Sequence, residues 1–213
     1  MNILLGVTGG IAAYKSCDVI SGLKAANEHN IKVIMTENAQ KFITPFTLEV
    51  LSKNRVYTDE EFWKNGYEIN HIELAEWADC FVIYPITVNT ISKIANGIAD
   101  NLLTTTFVAY EGMKLSKIVL FPAANTNMFL NYHIQTNIHK IIGICTLVFG
   151  PIDGKLACGQ VGKGKVVKPR NAIDIINIVL DNNYYWEYNP KLQTYCEEKN
   201  ISFTYKLPMF FSV

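Results

Sequence analysis

Two residues stand out because their neighbours could set their chemistry. His71 lies in Ile69-Asn70-His71-Ile72-Glu73-Leu74, at the start of a helix-like stretch that precedes an apolar run. Imidazole titrates close to neutral pH, so this side chain can both take a proton and return it. Cys158 lies in Leu156-Ala157-Cys158-Gly159-Gln160-Val161-Gly162-Lys163-Gly164-Lys165, a Gly-rich segment whose two lysines would favour the thiolate. The segment is too irregular for a regular helix or sheet and reads as a mobile flap. By contrast, Cys17 and Cys80 fall inside apolar elements and read as buried thiols. His29, His133 and His139 have surroundings that indicate packing or surface positions.

A third feature is the turn in Gly6-Val7-Thr8-Gly9-Gly10-Ile11. A glycine turn between a strand and a helix presents free backbone N–H groups at the positive end of the helix, an arrangement that holds a phosphate. Thr36 adds a hydroxyl at the end of the next apolar run, where open α/β sheets keep their ligands. Neither the full G-x-G-x-x-G pattern nor an acidic residue closing the second strand is present, so a mononucleotide fits better than NAD.

These residues must be positioned by alternating strands and helices. Asn2–Val7 reads as a strand, residues 11–26 as a helix and Ile31–Met35 as a second strand, which together make one right-handed βαβ unit. Further strands are expected at Cys80–Tyr84, Thr105–Val108 and Lys117–Phe121, with helices at Thr90–Ala99 and Asn171–Leu180. Such alternation predicts a doubly wound parallel sheet with helices on both faces. Residues 182–213 carry nine aromatics without a clear period and read as a C-terminal extension that packs on the domain of residues 1–181 or on a neighbouring subunit.

Composition narrows the class of partner. The 213 residues are 49% hydrophobic and 18% charged with no net charge, which disfavours disorder and an electrostatic grip on nucleic acid. No apolar stretch approaches the roughly 20 residues of a membrane span. The five cysteines show neither C-x-x-C pairs nor zinc-ligand spacing, so free thiols, no metal and a cytoplasmic setting are expected. A small-molecule partner remains.

Four segments taken in order carry a resemblance. They are Gly6 to Lys15, Ile69 to Leu74, Pro85-Ile86-Thr87-Val88-Asn89-Thr90 with Ala95 to Leu102, and Leu156-Ala157-Cys158-Gly159. In this order and spacing they resemble the homo-oligomeric flavin-containing cysteine decarboxylases, nearest to the branch that converts 4'-phosphopantothenoylcysteine to 4'-phosphopantetheine for coenzyme A. The resemblance implies a flavodoxin-like (Rossmann-like) α/β fold and a homotrimer or homododecamer with FMN where subunits meet. It implies FMN-binding positions at Gly9, Gly10, Ile11, Thr36, Thr87, Val88, Asn89, Thr90 and Ala123. It further implies substrate-binding positions at Asn125, Met128, Ala157 and Lys163. His71 would handle the substrate thiol's proton, and Cys158 would donate a proton when the product is reduced.

The chain departs from the family pattern in two places. The motif Pro-Ala-Ser-Ala-Asn-Thr has become Pro85-Ile86-Thr87-Val88-Asn89-Thr90, which keeps a hydroxyl but enlarges both alanines. In Pro122-Ala123-Ala124-Asn125-Thr126-Asn127-Met128-Phe129, Ala124 stands where the family usually has Met and Phe129 where it often has Trp. A peptidyl-cysteine decarboxylase releasing an enethiol is the alternative within the family, although such enzymes lack the Cys-Gly pair. A flavodoxin-like electron carrier is the alternative of another class.

Overall fold

The computed structural model describes residues 1–27, 29–60, 70–113, 117–142, 146–181 and 189–204. Its centre is a sheet built from β1 (Asn2–Val7), β2 (Asn30–Met35), β3 (Val56–Thr58), β4 (Cys80–Ile86), β5 (Ile118–Pro122), β6 (Thr146–Phe149) and β9 (Phe203–Thr204), in the order β3-β2-β1-β4-β5-β6-β9. All neighbours pair parallel except β9, which runs antiparallel to β6. Strands β1, β4 and β5 are apolar along nearly their whole length because both faces are covered.

On one face, α1 (Ser16–Asn27) and α8 (Pro169–Asp181) bury Val19, Ile20, Leu23, Ile175, Ile176 and Val179 against Leu5, Val33 and Phe121. The other face is covered by α3 (Asn70–Trp77), α4 (Val88–Ile94), α5 (Leu102–Met113) and α7 (Tyr132–Ile142), whose Leu74, Ile91, Phe107 and Ile141 meet Leu4, Phe81 and Ile83. Two short helices, α2 (Pro45–Ser52) and α6 (Thr126–Phe129), lie between strands, and α9 (Pro190–Glu198) packs on α8. A separate hairpin joins β7 (Ile152–Lys155) to β8 (Val161–Lys165). Among the described residues, no helix is long and apolar enough to cross a membrane.

Three sequence expectations change. Thr105–Val108 is not a strand but the middle of α5. The β-branched threonines mislead there, because Leu102, Leu103, Thr106, Phe107 and Tyr110 are buried at helical spacing, and the Thr106 hydroxyl donates to the Leu102 carbonyl at 2.7 Å. The helix expected at Thr90–Ala99 starts earlier, at Val88, where Thr87 caps it, and is over before Gly97, whose φ of 66° breaks the helical path. The flap is an antiparallel hairpin over most of its length. Its strands carry no apolar alternation because neither belongs to the main core. Cys145 and the extension's Tyr184, Tyr185, Trp186, Phe210 and Phe211 lie outside the described residues.

The sheet edge is closed by aromatic packing. Tyr84, Phe121, Phe149 and Phe203 form a row across β4, β5, β6 and β9, with Phe149 and Phe203 stacked at 4.7 Å between centroids. Phe149 is fully buried whereas Phe203 is partly exposed. Phe149→Ala should therefore cost about 3–5 kcal/mol in urea unfolding, and Phe203→Ala about 1–2 kcal/mol.

Candidate active site

Strands β1 and β4 are neighbours, and the chain leaves their carboxyl ends toward opposite faces of the sheet. The loops that follow therefore splay apart and open a crevice. A buried threonine ties them at the base. The Thr8 hydroxyl donates to the Pro85 carbonyl and accepts from the Thr87 amide, each at 2.9 Å. Sequence reasoning passed over Thr8 because a lone threonine after a strand carries no signal of its partners.

The crevice deepens into a cavity of about 1400 Å³, more than the roughly 300–1,000 Å³ typical of one small ligand. Gly9, Gly10, Ile11 and Thr36 line one part of it, followed by Thr87, Val88, Asn89 and Thr90. Ala123, Asn125, Met128, Ala157 and Cys158 line the rest of the wall from β5 to the hairpin turn. A side chain at Gly9 would run into Asn38, so the loop after β1 can lie against the turn after β2 only with glycine there. The Thr36 hydroxyl, in that turn, is buried without a hydrogen-bond partner in a wall of the cavity.

Backbone proximity sets the hairpin over the cavity. The Ala124 amide donates to the Gly164 carbonyl at 3.0 Å. A side chain at Gly164 would strike the Ala124 carbonyl, and one at Gly162 would come within 2.7 Å of the Thr126 hydroxyl. These absent side chains let β8 lie directly on the β5–α6 connection. The turn is closed by Leu156 N to Gln160 O at 2.8 Å and Gly159 N to Leu156 O at 3.0 Å, with Gly159 at a φ of 87° that suits glycine.

Cys158 is thereby brought to Asn125. The Asn125 side-chain amide donates to Cys158 Sγ at 3.4 Å and to Gln160 Oε1 at 3.0 Å, while its own Oδ1 caps α6 by accepting from Asn127 N at 2.9 Å. The Cys158 thiol in turn donates to Gln160 Oε1 at 3.7 Å. Gln160 is the site residue that the sequence did not single out. Burial pushes the Cys80 thiol up to about 12 and the Cys196 thiol up to about 11, and raises that of Cys17. Cys158 is exposed.

Two of the expected site residues do not line this cavity. Lys163 lies on β8, but Lys165 is the lysine of that strand in the cavity wall. His71 is the second residue of α3, half-buried, on a helix that packs on α5. Of the residues that depart from the family pattern, Ile86 and Phe129 are buried in the core, whereas Val88 and Ala124 line the cavity.

Comparison with known proteins is now informative. A family profile described as Flavoprotein matches residues 1–181. The chain belongs to the Flavoprotein family. Among curated relatives, it is 43% identical over 176 residues to the coenzyme A biosynthesis bifunctional protein CoaBC of Bacillus subtilis, an alignment covering 82% of this chain and 42% of that one. It is 41% identical over 162 residues to the "Probable phosphopantothenoylcysteine decarboxylase" of Streptococcus mutans, covering 76% and 89%. The chain thus spans less than half the length of the bifunctional relative. Among solved structures, a PPC decarboxylase mutant complexed with pantothenoylaminoethenethiol superposes with a TM-score of 0.77 at 28% identity, over 85% of this chain and 98% of that one. The FMN binding protein AtHal3 superposes with a TM-score of 0.73 at 28% identity, over 86% and 98%.

Carboxylates also line the cavity, and that of Asp59 accepts from the Leu102 amide at 2.7 Å. Burial, the largest influence, raises the Asp59 pKa. Backbone N–H bonds from Leu102 and Glu37 oppose this, and Glu37 and Asp100 add repulsion. Because the folded value lies above the unfolded value near 3.8, the group's contribution favours the fold below that pH and is lost as pH rises through the folded value. Asp59→Asn keeps an acceptor for Leu102. It should remove this loss, so that denaturation midpoints followed upward from about pH 4 fall less in the variant than in the parent.

Proposed function

We propose that this protein is an FMN-dependent decarboxylase of 4'-phosphopantothenoylcysteine, yielding 4'-phosphopantetheine, with residues 1–181 as the catalytic domain and 182–213 as an extension. The observation that carries the reading is Cys158, held by Asn125 and Gln160 at a cavity that begins at the Gly9-Gly10 turn. The named relatives point the same way. Free thiols at Cys17, Cys80, Cys158 and Cys196 accord with a cytoplasmic enzyme.

The residues present fit the cofactor. Gly9 and Gly10 bring backbone without side chains to the cavity wall beside Thr36, whose buried hydroxyl has no partner, and the cavity volume has room for flavin and substrate together. Gly9, Gly10, Ile11, Thr36, Thr87, Val88, Asn89, Thr90 and Ala123 would hold it. When bound, FMN supplies a two-electron acceptor for the substrate's thiol carbon, which turns the carboxylate into a leaving group.

The chain's own residues handle protons and orientation. Asn125 orients the substrate's cysteinyl end beside Met128 and Ala157, and Cys158 gives up its thiol proton when the decarboxylated product is reduced. His71 takes the substrate thiol's proton at the outset. Since His71 does not line its own chain's cavity, a neighbouring copy supplies it, and a closed homotrimer, alone or as four trimers in a dodecamer, meets that need. The exposed apolar side chains Ile11, Tyr14 and Met128 at the cavity provide a surface for such a contact. An electron carrier would need neither His71 nor the clamped thiol.

Purified protein should be yellow and release FMN. Incubated with 4'-phosphopantothenoylcysteine, Cys158→Ser should still liberate CO₂ but accumulate an enethiol two mass units lighter than the parent's product, because a serine hydroxyl is too weak an acid to replace the thiol. Colourless protein that takes up no FMN, or the saturated product from Cys158→Ser, would overturn the assignment. A second experiment addresses the oligomer. His71→Asn and Cys158→Ser chains, each unable to make the saturated product, should regain it when co-expressed, because some sites then pair an intact His71 with an intact Cys158. Light scattering should give three times the 24.0 kDa chain mass, or a multiple of that. A monomer, or mixtures no more active than the separate variants, would refute the shared site.

A further inference from the structure

Four lysines line the cavity, and they are not equivalent. Lys93 is neutralised by Asp100 at 2.6 Å. Among the described residues, Lys15, Lys155 and Lys165 form no hydrogen bond and no ion pair within 4 Å, although the Lys15 ammonium lies 5.9 Å from the centre of the Tyr14 ring. Lys15 ends the 3₁₀ turn Ile11–Lys15, and Lys165 ends β8, the strand that runs back from the Cys158 turn. The Lys165 side chain lies across Gly154 of the paired strand. Its Cδ would be 3.2 Å, and its Nζ 3.8 Å, from a Cβ at that position, so the missing side chain leaves the groove in which the lysine rests. The two ammonium groups feel each other. Partial burial first, and Lys165 second, pull the Lys15 pKa down, with Asp18 acting weakly the other way. Two like charges in the wall of one cavity repel each other and are relieved by an anion that joins them.

We propose that Lys15 and Lys165 form the receptor for a phosphomonoester dianion, the 4'-phosphate of the substrate. This rests on the decarboxylase reading above and adds the group that the enzyme recognises at the far end of its substrate. A dianion matches two point charges, and lysine binds phosphate in this manner. A phosphate carried by the flavin is the other source of the same chemistry. The placement favours the substrate. At about 2 Å of rise per residue, Lys15 lies roughly 10 Å along the chain from Gly10, beyond the turn that would take the cofactor's phosphate. Lys165 belongs to the same hairpin as Cys158. A peptide ending in cysteine would bring no dianion to this place and would leave the pair unneutralised.

The test is calorimetric titration of the FMN-loaded protein with 4'-phosphopantetheine and with pantetheine. The phosphorylated ligand should bind about ten- to a hundred-fold tighter, a preference that inorganic phosphate erodes by competition. Lys15→Gln and Lys165→Gln should each remove most of that preference by weakening the phosphorylated ligand, with flavin content and flavin release rate within about two-fold of the parent. Lys165→Arg, which keeps the charge, should retain the preference. Equal affinity of the parent for both ligands would overturn the proposal, as would a preference that survives both glutamine variants. Variants that shed flavin while keeping the preference would assign the lysines to the cofactor's phosphate instead. Binding needs no turnover. A parent that prefers 4'-phosphopantetheine yet releases no CO₂ from 4'-phosphopantothenoylcysteine would therefore uphold the lysine site while removing the decarboxylase reading.

Discussion

The pairing of β1 with β4 controls everything at the site. These two parallel strands are buried on both faces, and their register sets Gly6 opposite Ile83. The helices that follow them must cover opposite faces of the sheet, so the chain diverges at the carboxyl ends and leaves a gap, at whose base the Thr8 amide donates to the Pro85 carbonyl at 3.3 Å. Thr8 spans the gap at its floor by pairing with both Pro85 and Thr87. Above that floor the loops are free to present glycine, threonine and asparagine to a ligand. Without the switch in direction there would be a packed sheet edge where the cavity is.

The second structural device is close backbone contact without side chains. Gly9 against Asn38, Gly162 against Thr126 and Gly164 against Ala124 are three places where a Cβ would force elements apart. The first shapes the loop after β1, and the other two bring the β7–β8 hairpin down onto the β5–α6 connection. The hairpin contributes little to the core. Its position depends on one backbone hydrogen bond to Ala124 and on the side-chain contacts among Asn125, Cys158 and Gln160. An element so weakly anchored by apolar burial is well suited to carry a residue that must meet a substrate and then release it.

The cavity wall carries charged groups of both signs, although the chain as a whole has no net charge. Glu37, Asp59, Glu60 and Asp100 line it together with the Asp59-capped start of α5, while Lys15, Lys155 and Lys165 come from the first turn and the hairpin. Composition averages this out. A summed charge of zero excluded an extended basic face but could not reveal that groups of both signs line one cavity, where they can orient a polar substrate.

Local signals were enough for the strands β1, β2, β4 and β5, for the helix after the glycine turn and for the last amphipathic helix of the domain, because buried parallel strands read as apolar runs and α8 shows its helical period directly. They also marked Gly9, Gly10, Thr36 and Cys158, whose types and local setting are chemical in themselves, whereas Asn125 came only through the family resemblance. They failed at Thr105–Val108, where β-branched residues sit in a helix stabilised by tertiary burial, and at β3, β6 and β9, which are too short to show a period. The residue types that could bind and react were therefore determined by the sequence. The folded chain decided which of them meet. Thr8 with Thr87 and Cys158 with Asn125 are contacts between residues far apart in the chain, and Lys15 and Lys165 reach one cavity wall from distant segments. They are created by strand order and by glycine-permitted approach, neither of which leaves a periodic trace in the residues themselves.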